Sequence, residues 1–422
     1  MKDSAEPACF SRGAVQKGAI VLGGAHGSLE IARSLGRRGI PVWLIAAGNR
    51  LAALSRYVER SLSWPGPGEI GAVRFLIDLC RSHALDGWVL FAGSDEDLRF
   101  IAQNHAALGT VFTLTTPAWD QVRWAYDKRR MNARADELGI ARPLTCYPRA
   151  REDLAGFELA FPVILKPTIR EGRNAFTDAK AWRADDERTL IDRYDEAVVL
   201  VGADSIMVQE LIPGDGAAQF SYAAVWDRGT PVGSLVARRQ RQYPIEFGFT
   251  STHVETIALP AIELIAVRFL RSLDYSGLVE IEFKYDARDR SYKILDINAR
   301  AWTWIALGAA AGVDFPAIQW RLAHGEKVAP VAGCVGADWL YASRDFVAAI
   351  QEMIAGRLAP IDYLRFWRRS RRHSSSCAVF AWDDPLPALL DLPLVAARVA
   401  LRWLSRRNRV AAATLQSARQ HF

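Results

Sequence analysis

The residues best suited to chemistry fall in two short stretches, Glu280-Ile281-Glu282-Phe283 and Leu295-Asp296-Ile297-Asn298-Ala299-Arg300. Both alternate apolar with polar side chains, the period of a half-buried strand, and the polar residues 286–290 between them read as a hairpin turn. Residues two apart on a strand point the same way. Asp296, Asn298 and Arg300 therefore share a face, and Glu282 or Glu280 can meet them from the neighbouring strand. Two carboxylates and an amide oxygen are the hard-oxygen set that Mg²⁺ takes when it also bridges nucleotide phosphates. An arginine beside them suits charge developing on a transferred phosphoryl group. An exposed polar strand face laced with ion pairs has the same pattern, and the stretch alone does not separate the two.

Two lysines add to the first reading. Lys166 closes the apolar run Phe161-Pro162-Val163-Ile164-Leu165-Lys166-Pro167, and a lysine in a buried strand calls for an anion. Lys128 stands at a helix start in Tyr126-Asp127-Lys128. Each alone reads as an ordinary surface or salt-bridged lysine.

Taken in order, Asp127-Lys128, the strand ending Lys166-Pro167, Gln209-Glu210-Leu211-Ile212-Pro213-Gly214, Glu282 and Asp296-Ile297-Asn298-Ala299-Arg300 resemble the ATP-grasp superfamily over roughly residues 18–325. The nearest likeness is to the carbamoyl-phosphate-synthase-like group that includes D-aspartate ligases and other carboxylate–amine ligases. The resemblance implies an α/β plus α+β chain with a Rossmann-like pre-ATP-grasp domain over 1–123. An ATP-grasp domain over 124–330 follows, its two α+β subdomains clamping ATP and the small lid subdomain lying at about 145–212. An extra helical, basic region over 331–422 completes the chain.

The same resemblance implies the site. Lys128 and Lys166 hold ATP phosphates. Glu210, Leu211 and Ile212 form the hinge that faces adenine, and Asp215 contacts ribose. Glu282, Asp296 and Asn298 ligate Mg²⁺ or Mn²⁺, and Arg300 acts with Lys166 on the acyl phosphate. Glu282 is preferred to Glu280 because the 14-residue step to Asp296 fits the family hairpin. Residues 168–176 form the lid over the phosphates. Two departures stand out: the family usually has Glu where Asp296 stands, and a lid rich in glycine and serine where this chain has Thr168-Ile169-Arg170-Glu171-Gly172-Arg173-Asn174, in which Arg170 and Arg173 are offered as side-chain donors.

The implied reaction activates a carboxylate as an acyl phosphate with MgATP and transfers it to an amine. Its partners are small-molecule carboxylates and amines, and nucleic acid is not among them. A carboxyphosphate-forming carboxylase and a non-catalytic ATP-binding module are the alternatives. For the substrates, Arg238-Arg239-Gln240-Arg241 and the following 248–253 stretch are candidates to grip a carboxylate, with a solvated basic turn as the plainer reading. Ser94-Asp95-Glu96 is a candidate amine contact, or a simple helix cap. Trp302 and Trp304 are candidate pocket walls, or core.

The elements that must position these groups are legible in outline. Residues 19–22, a glycine loop, a helix through Leu35 and residues 41–46 form a β–loop–α–β unit that opens a doubly wound sheet. The loop Gly23-Gly24-Ala25-His26-Gly27 lacks the G-x-G-x-x-G spacing, and no acidic residue ends the second strand, which disfavours NAD(P). Residues 87–91 read as a strand, 127–138 as a helix, 206–211 as a strand, and 219–226 with 233–239 as an antiparallel pair.

With 422 residues and ordinary globular composition, the chain has room for two to four domains and needs no metal or disulfide to fold. Its five cysteines include no CxxC pair and read as reduced thiols. No secretory signal or membrane-spanning stretch is evident, so a cytoplasmic protein is expected, with the inner membrane face as a peripheral site. The net charge of +6 is uneven: residues 361–422 hold 11 Arg and 4 Asp, and the rest sums to −1. The arginines of 394–409 line one arc of a candidate amphipathic helix suited to an anionic membrane, a second subunit or the body of the protein.

Overall fold

The computed structural model describes residues 17–393, except 157, 159, 170, 171, 173, 180, 215, 244–249, 371–374 and 392. Asp215, Arg170 and Arg173, and the candidate helix at 394–409 lie outside the described residues.

Three sheets carry the mixed α/β architecture. In the first, β1 (Ala19–Leu22), β2 (Val42–Ala46), β3 (Arg60–Ser63), β4 (Val89–Ala92) and β5 (Thr113–Leu114) are all parallel, in the order β3-β2-β1-β4-β5. Every residue of β1, β2 and β4 is buried, as expected of strands covered by helices on both faces. The order reverses between β1 and β4, so the loops at their carboxyl ends flank the crevice where such sheets bind ligands. These loops are Gly23–His26 and 93–96.

The second sheet is small and antiparallel. It comprises β6 (Thr145–Cys146), β7 (Val163–Pro167), β8 (Trp182–Ala184) and β9 (Ile206–Glu210), in the order β6-β9-β7-β8. Helix Glu187–Val201 packs on it, and Val163, Leu165, Phe176, Tyr194 and Val208 form a separate core.

The third sheet contains β10 (Gln219–Asp227), β11 (Thr230–Tyr243), β12 (Thr250–Thr256), β13 (Gly277–Asp286), β14 (Ser291–Asn298), β15 (Val331–Ala332), β16 (Asp338–Leu340) and β17 (Ser375–Cys377). Its path runs β14-β13-β10-β11-β12-β16-β17, with β15 beside β11. Its apolar residues share two cores with the first sheet: Ile20 and Leu90 with Ile281 and Phe283, and Val21 and Leu44 with Ala223 and Trp302.

Three expectations change. Arg238–Arg241 is not a turn after a strand. It lies within β11, which runs to Tyr243 and pairs with β12, so the 250–256 stretch is a central strand. Arg368–Arg372 with Ser374–Ser376 read from the sequence as a solvated loop, whereas Arg368 belongs to helix Pro360–Ser370 and Ser375 and Ser376 to β17. The region after 331 is also not simply helical, since it contributes β15, β16 and β17 to the large sheet. The sequence signal was weak because β15, β16 and β17 are only two or three residues long and gain their stability from neighbouring strands rather than from propensity.

Candidate active site

The hairpin β13–β14 brings the acidic residues together by register. Glu282 lies opposite Asp296 and Glu280 opposite Asn298. Asn298 Nδ2 donates to Glu280 Oε2 at 3.1 Å and to Glu282 Oε1 at 3.4 Å, and Asn298 Oδ1 accepts from Arg300 Nη2 at 3.2 Å. Glu280 is 2% exposed and also accepts from Ser221 Oγ at 2.9 Å. Burial, with the Glu282 carboxylate beside it, pushes the Glu280 carboxyl well above the ordinary range. Strand parity thus places both glutamates on the face of Asp296 and Asn298, and sets Glu282, rather than Glu280, opposite Asp296.

Both lysines reach this cleft from other elements. Lys128 is the first residue of helix Lys128–Glu137, capped by Asp127, and its ammonium pairs with Asp296. Its backbone N–H donates to Thr168 O at 3.2 Å, tying the helix start to the end of β7. Lys166 projects from β7 and donates to Gln209 Oε1 on β9 at 3.0 Å. Gln209 is held in turn by Nε2 on Thr145 Oγ1 at 3.0 Å.

Arg300 lies two residues beyond the end of β14. Its Nε and Nη2 donate to both oxygens of Asp95 at 2.7 and 3.0 Å. Burial works against the guanidinium charge, and the Asp95 carboxylate more than offsets it, so the cation is held firmly. Asp95 is therefore the partner of Arg300, while Ser94 caps helix Asp95–Gln103 through Asp97 N at 3.1 Å.

The segment from Glu210 to Gly214 is held by charged groups, of which the sequence reading named Glu210 and missed Lys284, Arg288 and Lys293. Lys284 Nζ, 8% exposed, donates to the carbonyls of Ile212 and Gly214, each at 2.8 Å. Glu210 is the acceptor of a cluster: Leu144 N at 2.9 Å, Lys293 Nζ at 2.9 Å and Arg288 Nη2 at 2.6 Å. Burial opposes its charge, but these donors outweigh it and hold the carboxyl below its ordinary value. The usable signal was period 2 along β13, because Glu280, Glu282 and Lys284 share a face.

These groups line two adjoining cavities that share Lys166, Glu282 and Asp296. One, of about 180 Å³, is lined by Lys128, Lys166, Arg239, Glu280, Glu282, Asp296, Asn298 and Arg300. The other, of about 420 Å³, has Ile164, Leu211, Ile212 and Leu295 as apolar walls and Lys166, Gln209, Glu210 and Lys284 among its polar groups. Such a slot can take a flat heterocycle, with lysines toward an attached anion. Of the candidate carboxylate grips, Arg239 faces the site, 3.6 Å from Glu282 Oε2. Arg238 pairs with Glu255 and Arg241 with Asp345. Trp302 and Trp304 are buried against each other and Phe315, and also wall the smaller cavity.

The glycine loop packs tightly. A Cβ on Gly24 would meet Asn49 O at 2.1 Å, and one on Gly27 would meet Ala301 Cβ at 2.8 Å, one residue past Arg300. A third cavity, of about 410 Å³, joins this loop to Ser94, Asp95, Glu96, Thr177 and Arg300.

The donor set fits a hard divalent cation. Among the described residues no three His, Cys, Asp or Glu side chains form a ready-made cage. Two carboxylates and an amide completed by nucleotide phosphate is how Mg²⁺ is usually bound. A cation would relieve the repulsion at the buried glutamate pair, and Asn298 would ligate by turning Oδ1 toward it.

Residues 250–331 match the family described as carbamoyl-phosphate synthase L chain, ATP binding domain. That span includes Glu280, Glu282, Asp296, Asn298 and Arg300, whereas Lys128, Lys166 and Glu210 fall outside it. No curated protein matches the chain in sequence. Among solved structures it is similar to an L-amino acid ligase from Bacillus licheniformis, at 17% identity and a TM-score of 0.56, over 74% of this chain and 75% of that one. It is similar to the biotin carboxylase domain of 2-oxoglutarate carboxylase from Hydrogenobacter thermophilus, crystallised with MgADP and bicarbonate. That likeness has 15% identity and a TM-score of 0.59, over 76% and 73% of the chains. An N5-carboxyaminoimidazole ribonucleotide synthetase in its ADP complex is 13% identical with a TM-score of 0.59, over 76% and 80%. At these identities the likeness is one of fold.

Proposed function

We propose that this chain, whose fold is that of the ATP-grasp superfamily, is an ATP-dependent ligase that activates a carboxylate as an acyl phosphate and couples it to an amine. The observation that carries the reading is the convergence of Lys128, Lys166, Glu282, Asp296, Asn298 and Arg300 on adjoining cavities from four separate parts of the fold.

In this reading the apolar slot beside Leu211 and Ile212 takes adenine, and Lys284 fixes the hinge by holding its carbonyls. Lys166 and Lys128 turn from Gln209 and Asp296 to the phosphates. Glu282, Asp296 and Asn298, with Glu280 behind them, would hold Mg²⁺, whose chemistry would be to neutralise phosphate charge. Arg300, oriented by Asp95, steadies the charge that builds on the acyl phosphate. The carboxylate oxygen attacks the terminal phosphorus and ADP leaves. The amine nitrogen then attacks the acyl carbon, phosphate departs, and the nitrogen loses a proton. Positioning and charge neutralisation supply the catalysis, so no nucleophilic side chain is needed.

The test is ADP release with MgATP across a matrix of carboxylates and amines, beside Lys166→Ala and Asn298→Ala. Release that needs both substrates and is lost in both variants supports the ligase. Release with bicarbonate and no amine assigns a carboxyphosphate-forming enzyme instead. Tight MgATP binding with no turnover on any pair assigns a binding module.

A further inference from the structure

Helix His26–Gly36 carries a carboxyl group that the catalytic reading leaves unused. Glu30 is 7% exposed, yet among the described residues no donor or cation reaches its carboxyl within hydrogen-bond or ion-pair distance. The arginines that follow it are already engaged. Arg33 pairs with Asp384 at 2.9 Å, Arg37 with Asp383 at 2.8 Å and Arg38 with Asp314 at 2.8 Å. Of these four acids Glu30 is the one left without a partner. A carboxyl taken out of water is ordinarily met by donors or by a cation.

Glu30 lines a cavity of about 680 Å³, a volume typical of small-molecule sites. Trp367, Phe380, Trp382 and Leu340 supply its apolar lining. Phe380 and Trp382 meet edge to face, their ring centres 4.8 Å apart. Trp382 is 90% exposed, so the aromatic wall opens to solvent. Ser376 Oγ, on β17, is a second polar atom of the lining with no hydrogen-bond partner. No residue of this cavity lines the three cavities described above.

The chemistry of the lining selects the ligand. Aromatic faces cover apolar groups and attract cations, and a lone carboxylate beside them takes a positive charge. An anion would meet Glu30 and Asp383 together. A hard metal ion needs several oxygen ligands, and among the described residues no three His, Cys, Asp or Glu side chains form such a group.

We propose that this cavity is a second ligand site, apart from the catalytic cleft, that takes an organic cation: a protonated amine or quaternary ammonium carried on an apolar or aromatic body. The ammonium meets Glu30, and the body lies against Trp367, Phe380 and Trp382. The proposal is independent of the ligase reading.

Calorimetric titration of the full chain, without ATP, tests it with four probes: phenethylamine, benzyltrimethylammonium, neutral 2-phenylethanol and anionic 3-phenylpropionate. The two cations are expected to bind, and the other two to bind about tenfold more weakly or less. Glu30→Gln should lower cation affinity about tenfold or more, and Trp382→Ala about threefold or more, with MgATP binding unchanged in both. Asn298→Ala should bind the cations like the parent. Burial, then Asp314, pushes the Glu30 carboxyl up to about 7 against Arg37 and Arg33, and Asp383 adds to the rise. Cys377, on β17 in the same lining, keeps its proton because burial raises its thiol. The cations should therefore bind about tenfold more tightly at pH 8 than at pH 6 in the parent, and equally at both in Glu30→Gln. If Glu30→Gln abolishes nucleotide binding, Trp382→Ala alone gives the reading. Equal affinity for all four probes, no binding of either cation, or variants that bind the cations like the parent overturns the proposal. Cation binding that survives Glu30→Gln and is lost in Asn298→Ala assigns it to the catalytic cleft and also overturns it.

Discussion

Arg300 shows how much a single residue's behaviour depends on a partner from another part of the chain. Its guanidinium is clamped bidentately by Asp95, 205 positions earlier, and also touches Asn298. If Asp95 orients Arg300, then Asp95→Ala should lower turnover by about one to two orders of magnitude, as loss of a preorganised charge does, while changing MgATP affinity little. Asp95→Glu should recover part of it. Steady-state kinetics beside nucleotide titration check the split. Glu30 offers a pH prediction. Burial, then the nearby Asp314, pushes its carboxyl up to about 7, against the lowering effects of Arg37 and Arg33. The folded state therefore holds this proton more tightly than the unfolded state. The stabilisation is fully present below about pH 4.5 and is lost as pH rises toward 7, a span worth about 3 kcal/mol. Denaturant melts from pH 5 to 8 should show this loss in the parent protein and much less of it in Glu30→Gln.

At the scale of elements, β13 is the organising strand. Its alternate residues supply Glu280 and Glu282 to the acidic cluster and Lys284 to the carbonyls of Ile212 and Gly214. The alternation of 280–283 and 295–300 made the hairpin and its shared face readable in advance. Lys284 was equally exposed to that logic, but its role depends on β9 ending beside β13, a contact between segments about 70 residues apart. Lys284→Met should leave two buried carbonyls without their donor. The expected loss is about 2–4 kcal/mol of stability, read by urea unfolding, with nucleotide affinity down roughly tenfold as the hinge loosens. The Arg238–Arg241 stretch shows the opposite failure. Four polar residues in a row resemble a turn, and they form a strand because β12 pairs along the stretch and β10 reaches Arg238, while each arginine finds its own partner.

Across the whole molecule, the first and third sheets share their cores, and the segment near residue 384 locks the first sheet's helix from far along the chain. Arg33 and Asp384 are both nearly inaccessible and 2.9 Å apart, with Ser55 and the Arg56 N–H on the same carboxylate. Removing one partner from such a pair leaves a buried charge uncompensated. Asp384→Ala should therefore cost about 3–5 kcal/mol by chemical denaturation, and Asp384→Asn less. The region after 331 is thus structurally part of the body, through β15 to β17 and through this pair.

The parallel first sheet, the β13–β14 hairpin and the residue types of the candidate site were legible in the chain, because strand alternation and fully apolar runs are local properties. The excess of arginine toward its end was legible as well. Folding alone sets which charged groups meet: Asp95 with Arg300, Lys128 with Asp296, Lys284 with the carbonyls of Ile212 and Gly214, and Asp384 with Arg33. Each of these pairs joins residues from 70 to 351 positions apart. Ion pairing depends on distance in space and on the desolvation that packing imposes, and neither is encoded in spacing along the chain.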